Sequence, residues 1–243
     1  MPTTATRPKR PRRPIHAAAA ASILPIALSF IPTSGHVANP NCGIYCGKER
    51  WGAKTLSDAT ASSINMTPQA MSVSQLVNET APAGSETRVP PLETQAVTVH
   101  ADLLGFKIEG DSDLHIVIQD HATKETMIVE IPDPRCSGVC SSIARDQIVQ
   151  ARTTFETAFA GSPPGPDFRA LTTPVPIDVT GIPLFDFTHP TPQTGLAKNC
   201  IEVHPVLSIT LPANQPLTTV LGHTPKAPAG TKYTCMPQVR SNE

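Results

Sequence analysis

Histidines and carboxylates recur two or three residues apart in three stretches of the sequence that have β character. The pairs are Asp113 with His115, Glu202 with His204, and Asp186 with His189. Successive side chains of a strand point to opposite faces, so residues two apart emerge on the same face. Imidazole and carboxylate groups on one face can bind a divalent metal or act as general base and general acid.

Alternation of apolar and polar residues indicates the strands that carry these groups. Leu114, Ile116 and Ile118 alternate with Asp113 and His115, which is typical of a strand with one buried face. The long first strand contains a glycine at position 105, where we expect a bulge or a bend. The expected strands span residues 94–109, 113–119, 126–131, 175–187 and 200–211.

One helix is expected between the third and the fourth strand. Its apolar stripe consists of Ala144, Ile148, Ala151, Phe155 and Phe159. These residues recur at intervals of three and four, and Ser141 or Ser142 is expected to cap the start of the helix. The order of elements predicts a mainly β fold, a five-stranded OB-like Greek-key barrel with one helix between strands 3 and 4. An open α+β sandwich would use the same elements.

Such a barrel would bring the polar residues together. Its second, third and fifth strands are neighbours, so we expect Glu130 to join the D-x-H and E-x-H residues on one outer face. The predicted ligands of one divalent metal ion are Asp113, His115, Asp186, His189, Glu202 and His204. The candidates for catalysis are His115, His204, Glu202 and Asp113. The alternative is a solvated face without a ligand, because polar residues alternate outward on any half-exposed strand.

The N-terminal residues have the pattern of an export signal. A basic stretch within residues 7–13 precedes an apolar run at 17–31 and small residues at 33–35. This pattern predicts a signal peptide at residues 1–35 and a secreted or periplasmic protein with no membrane span after cleavage. Removal of residues 1–35 leaves 14 basic residues against 20 acids, a net charge of −6, which gives no strong signal for nucleic-acid binding.

The remaining chain divides by composition near residue 93. Residues 36–92 show weak periodicity and contain Pro-rich and Gly-containing stretches such as 82–85 and 90–91. We interpret them as a Cys-clipped, largely irregular N-terminal segment and linker. Residues 93–243 are interpreted as the barrel domain, which ends in a Pro-rich coil.

The six cysteines predict disulfides, because an even number in an exported chain favours pairing. Six cysteines allow many pairings. We expect Cys42–Cys46, Cys136–Cys140 and Cys200–Cys235, since two of these pairs are local and the third closes the C-terminal end. The alternative is zinc bound by the two C-x3-C pairs.

A short hairpin has a counterpart in a known family. The stretch Gly110-Asp111-Ser112-Asp113 resembles the acidic turn of staphylococcal-nuclease-like barrels, and Glu130 and Asp133 lie where that family has its later acids. That family also uses arginines to hold the phosphate charge, whereas Arg135 here lies beyond Pro134. The resemblance raises metal-dependent phosphodiester hydrolysis as a hypothesis.

Residues 93–211 are also similar to uncharacterised exported bacterial proteins. The similar stretches are 109–115, 128–132 and 201–206. This resemblance implies a recurring OB-like domain and supplies no activity.

Three functions are therefore open. The first is an exported OB-like binding domain for an unidentified ligand, with a polar face that binds a metal. The second is a metal-dependent hydrolase of the phosphodiesterase or nuclease type, and the third is a structural interaction module of the cell envelope. The sequence contains no G-x-S-x-G, H-E-x-x-H or Gly-rich phosphate motif, and its ten aromatic residues provide almost no stacking rings on the predicted binding face.

Overall fold

The structure is a computed structural model that describes residues 1, 42–43, 46–47, 49–189, 191–213, 217–225 and 230–238. Apart from Met1, the expected signal segment at 1–35 lies outside the described residues. The helices are α1 (Trp51–Thr55), α2 (Val73–Val77), α3 (Ser137–Cys140) and α4 (Arg145–Ala158). The strands are β1 (Asn65–Ala70), β2 (Gln95–Ile108), β3 (Leu114–Gln119), β4 (Thr126–Ile131), β5 (Arg169–Phe185), β6 (Ile201–Thr210) and β7 (Thr219–Leu221).

The mainly β prediction is confirmed, and the five expected strands correspond to β2 through β6. The predicted strand count is wrong, because the described part of the chain forms a mixed sheet of seven strands. The two additional strands have no buried alternating face: β1 is exposed at every position and β7 has only three residues. Alternation of apolar and polar residues is the main sequence signal for a strand, so both strands escaped prediction.

Five of the strands form a closed ring of pairings, because β2 pairs with a strand on each side. This strand pairs with β3 and with β5, β3 pairs with β4, β4 pairs with β6 in parallel, and β6 pairs with β5. Both registers of β2 shift between Leu103 and Gly105, which confirms the predicted irregularity. A Cβ at Gly105 would lie 2.5 Å from the carbonyl oxygen of Arg169, so a glycine is required where β2 meets β5.

Helix α4 packs its apolar stripe into the main core. Ile148, Ala151 and Phe155 are buried, and the ring of Phe106 from β2 lies 5.0 Å from the ring of Phe155. The helix begins at Arg145, later than the predicted serine cap would place it, and the Ser142 hydroxyl accepts the N–H of Ala144 just before the first turn. No helix in the described residues combines the length and hydrophobicity that crossing a bilayer requires.

The segment before residue 93 contributes to the same core as the strands. Trp51, Leu56 and Leu76 are buried in the cluster that also contains the inward side chains of the sheet. A buried ion pair anchors this segment: the Arg50 guanidinium donates to both oxygens of Glu93 at 2.9 and 2.5 Å. Glu93 in turn accepts the backbone N–H of Phe185 at 2.8 Å. The domain boundary near residue 93 stays a prediction.

The cysteines form long-range disulfides where the sequence suggested local ones. The bonds are Cys42–Cys140, Cys46–Cys136 and Cys200–Cys235, so only the third expected pairing is confirmed. Cys136 immediately precedes the single turn of α3 and Cys140 ends it, and side chains four residues apart on a helix point to the same side. Both sulfurs therefore face the N-terminal segment, and the two bonds tie that segment to the connection between β4 and α4. No cysteine is free for zinc.

Peptide mapping checks the two corrected disulfides. Trypsin does not cleave between Cys42 and Cys46 or between Cys136 and Cys140, because neither interval contains lysine or arginine. Without reductant, we expect the peptide that ends at Lys48 to be covalently joined to the peptide 136–145. Two separate, internally bridged peptides would contradict the structure.

Substitution of Glu93 tests the buried ion pair. Glu93→Gln leaves the buried Arg50 without its anionic partner, so we expect the free energy of unfolding to fall by about 3 kcal/mol. Chemical denaturation measures this change, and Glu86→Gln on the exposed surface is the matched control. Equal stability of the two variants would show that Arg50 and Glu93 do not anchor the segment.

Candidate metal centre

Three strands carry polar side chains on the face that points away from the core. His115 of β3 lies directly opposite Glu130 of β4 in the antiparallel register. β4 and β6 run parallel with Ile128 beside Glu202, so two residues further along Glu130 comes beside His204. The strand phases predicted from the sequence thus bring the D-x-H and E-x-H residues together around Glu130.

The prediction that these residues lie on an outer face is wrong, because the structure buries them. His115 and His204 are 0% exposed, and Glu130 and Glu202 are 5% and 3% exposed. The connection between β5 and β6 lies over them: its Thr194 carbonyl oxygen is 2.9 Å from the His115 ring. Alternation identifies which side of a strand is polar and carries no information on what covers that side.

The C-terminal segment holds the connection between β5 and β6 in place over the two histidines. Cys235 is bonded to Cys200 at the start of β6, and the backbone N–H of Thr188 donates to the carbonyl of Met236 at 3.0 Å. Gly195, at φ 82°, lies so close to the side chain of Val117 that a Cβ would collide with it. The cover therefore packs directly on the strands, with no room for bulk water beneath it at this point.

Glu130 joins the two histidines. Its Oε1 atom lies 3.0 Å from Nδ1 of His115, and its Oε2 atom lies 3.2 Å from Nδ1 of His204. The other ring nitrogen of His115 faces the Thr194 carbonyl, and Nδ1 also faces Glu109 Oε1 at 3.1 Å. One carboxylate is thus shared between two buried imidazoles.

His204 lies between three carboxylates. Its Nδ1 atom is 3.0 Å from Oε1 of Glu202, and its Nε2 atom is 3.3 Å from Oδ2 of Asp113. Asp113 is fully buried, and its other oxygen accepts the backbone N–H of Asp133 at 3.3 Å. Neither Nε2 of His204 nor Oδ2 of Asp113 has a hydrogen bond of acceptable geometry among the described residues.

Asp186 and His189 form a separate group nearer the surface. Their side chains are 2.9 Å apart, and Glu49 offers a third donor atom close to them. Lys54 of α1 links this group to the first, because its Nζ atom lies 3.3 Å from Asp186 Oδ1 and 3.8 Å from Glu202 Oε1. Of the six predicted metal ligands, four therefore meet around Glu130 and two do not.

An open pocket of about 400 Å³ leads to this centre from solvent. Charged groups dominate its lining, which includes Glu49, Lys54, Glu109, Asp111, Glu130 and Asp186, with Trp51 as an aromatic wall. Glu109 and Glu130 both line the pocket and contact the buried histidines. The pocket carries a net negative charge, which favours cations.

Burial and the neighbouring carboxylates shift the pKa values of the two imidazoles in opposite directions. Burial alone lowers the pKa of His115, but its contacts with Glu109 and Glu130 outweigh burial and raise the pKa to about 9. The same balance, with Asp113, Glu130 and Glu202 as partners, raises the pKa of His204 well above its ordinary value. Both shifts favour the protonated form of the rings in metal-free protein.

The pKa values of the carboxylates and of Lys54 also shift, in directions set by the charges next to each group. Burial raises and the two imidazoles lower the pKa of Glu130, which ends well below its ordinary value. Burial, Asp113 and Glu130 raise the pKa of Asp111, at the pocket mouth, to about 6. For Lys54, burial alone lowers the pKa, whereas Asp186 and Glu202 raise it to a net value above the ordinary one.

Sequence reasoning missed Lys54, Glu109 and Asp111 as members of the site. Glu109 and Asp111 flank the hairpin that precedes β3, so their closeness to Asp113 in the chain was an available signal. Lys54 had none, because it reaches the site only through the disulfides and the Arg50–Glu93 pair that fix the N-terminal segment. No protein-family model, curated protein or solved structure matches the chain.

The protonation of His115 can be followed in metal-free protein. The pKa of about 9 lies above the ordinary value of 6.5, so protonated His115 stabilises the fold fully below pH 6.5, and this contribution is lost as the pH rises through 9. We expect its imidazole NMR resonance, assigned by comparison with His115→Gln, to titrate above pH 8. Titration at or below pH 6.5 would contradict the contacts with Glu109 and Glu130.

Proposed function

We propose that this protein binds a divalent metal ion through Asp113, Glu130 and His204. One donor atom from each of the three lies within 4.8 Å of donor atoms of the other two, and all three residues are buried. One imidazole with two carboxylates is a donor set suited to Zn²⁺ or Mn²⁺. The ion would exchange with solvent through the pocket that Glu130 lines.

The observation that carries this proposal is the pair of buried atoms without hydrogen bonds. Oδ2 of Asp113 and Nε2 of His204 face each other at 3.3 Å, and neither has a properly oriented partner among the described residues. Buried polar atoms are nearly always hydrogen-bonded, so such a pair needs an explanation. Two ligands of a tetrahedral zinc ion lie about 3.3 Å apart.

Glu202 supports the same assignment. Its Oε1 atom lies 3.0 Å from Nδ1 of His204, which is the nitrogen that does not face Asp113. A histidine that binds a metal usually donates its other N–H to a carboxylate or a backbone carbonyl, which fixes the tautomer and the orientation of the ring. Glu202 would therefore orient His204 and leave Nε2 for the ion.

The broader setting of the site is also part of the proposal. The ring of β2, β3, β4, β6 and β5, with β4 and β6 parallel and α4 between β4 and β5, supports an OB-like barrel with β1 and β7 added to it. The three disulfides support export to an oxidising compartment such as the periplasm or the cell exterior.

Hydrolysis of phosphodiesters is the second candidate, and one observation favours it. Lys54, 3.8 Å from Glu202, would place a positive charge near the metal, in the role that arginines have in the nuclease-like family. The carboxylates of Glu49, Glu109 and Asp111 at the pocket would repel a phosphodiester, which opposes it. Metal binding without assigned catalysis is therefore the function that the geometry supports best.

Calorimetric titration of chelator-treated protein with Zn²⁺ tests the proposed function. We expect Asp113→Asn, which removes a ligand with little change of shape, to weaken affinity more than about 100-fold. Glu202→Gln alters only the support of His204 and should cost about 10- to 100-fold. Asp178→Asn is the matched control, because Asp178 pairs with His100 on the surface.

A second readout keeps the test valid if a variant is less stable. Saturating Zn²⁺ should raise the melting temperature of the native protein and of Asp178→Asn, and should leave that of Asp113→Asn unchanged. Absence of Zn²⁺ and Mn²⁺ binding to the native protein, or equal affinity of Asp113→Asn and Asp178→Asn, would overturn the proposed site.

A further inference from the structure

A second group of donor atoms shares Glu130 with the proposed site. One atom each from Glu109, His115 and Glu130 lies within 4.8 Å of the other two. The two oxygens of Glu130 contact the histidines of the two groups: Oε1 lies 3.0 Å from Nδ1 of His115, and Oε2 lies 3.2 Å from Nδ1 of His204. Because Glu130 has a donor atom within 4.8 Å of the donor atoms of both groups, its carboxylate is positioned to bridge two metal ions.

The orientation of the His115 ring independently supports a cation at the second group. Its Nε2 atom lies 2.9 Å from the Thr194 carbonyl oxygen, which can only accept, so Nε2 carries the hydrogen. Its Nδ1 atom then points at Oε1 of Glu130 and at Oε1 of Glu109, 3.0 and 3.1 Å away. A neutral ring would direct its lone pair at two carboxylates, so a cation must lie at Nδ1, either a proton or a metal ion.

The charge of the centre also favours more than one metal ion. Its carboxylates are Glu109, Asp111, Asp113, Glu130, Asp186 and Glu202. Against these six stands the ammonium group of Lys54, which lies 3.3 Å from Asp186 and 3.8 Å from Glu202. Lys107 neutralises only Glu109, at 2.9 Å. Two divalent ions with neutral imidazoles would bring the centre closer to neutrality than one ion can, and burial makes the uncompensated charge costly.

The two groups differ in access to solvent. Asp113, His204 and His115 are fully buried, whereas Glu109 of the outer group is 22% exposed at its side chain and lines the pocket. An ion at the outer group would therefore have some coordination positions directed into the pocket, as sites that exchange ligands do, and the inner ion would be enclosed.

We propose that Glu130 bridges two divalent metal ions, an inner one at Asp113 and His204 and an outer one at Glu109 and His115, with the outer ion open to the pocket. This inference rests on the proposed function, since the inner ion is the one proposed there. Carboxylate-bridged ions are about 3.5–4 Å apart, which is close enough for magnetic coupling between Mn²⁺ ions.

Titration of the chelator-treated full chain with Mn²⁺, followed by metal analysis and electron paramagnetic resonance, tests the inference. We expect two equivalents in the native protein, with the hyperfine pattern of an isolated ion broadening as the second equivalent binds. Glu109→Gln should retain one equivalent and show the pattern of an isolated ion. Glu86→Gln, on the exposed surface, is the control and should retain both.

The possible failures are distinguishable. Native protein that binds one equivalent, with unchanged affinity in Glu109→Gln, would overturn the two-metal inference and leave the single-ion proposal standing. Native protein that binds no Mn²⁺ or Zn²⁺ would overturn both. Two equivalents without magnetic coupling would show that Glu130 does not bridge them, and this result needs only native protein.

Discussion

The Glu130 carboxylate, buried between two imidazoles at 3.0 and 3.2 Å, is the interaction on which the rest of the site depends. Burying one ionised carboxylate is costly, and here several are buried together, so each must be paired with a cation or carry a proton. The carboxylates raise the pKa of His115 and of His204, which favours protonated rings as the source of positive charge in metal-free protein. A metal ion would supply it by replacing the protons, which connects metal affinity to pH.

The disulfides and the buried ion pair outside the sheet fix the segments that enclose this centre. Two disulfides and the Arg50–Glu93 pair fix the segment that delivers Lys54. The third disulfide and the backbone contact between Thr188 and Met236 fix the connection that covers His115. A buried polar cluster stabilises a fold less than apolar side chains of equal volume would. The disulfides and the ion pair add stability that offsets this difference.

The sequence allowed the strands and the phase of their side chains to be predicted, because alternation reports directly on which residues share a face. His115, Glu130, Glu202 and His204 meet as that phase required. Burial of these residues could not be predicted, since the covering connection at 186–200 has no periodicity. The position of Lys54 and the pairing of Cys42 and Cys46 also depend on contacts between distant segments, which local patterns do not encode. Strand β1 was missed because it has no buried face.

The most direct test of this account is an anomalous difference map from crystals grown with Zn²⁺ and measured at the zinc absorption edge. We expect a strong peak within bonding distance of Asp113 Oδ2, His204 Nε2 and Glu130, with Glu202 still hydrogen-bonded to Nδ1 of His204. A map with peaks only at surface side chains, and with Asp113 and His204 facing each other as a simple ion pair, would contradict it.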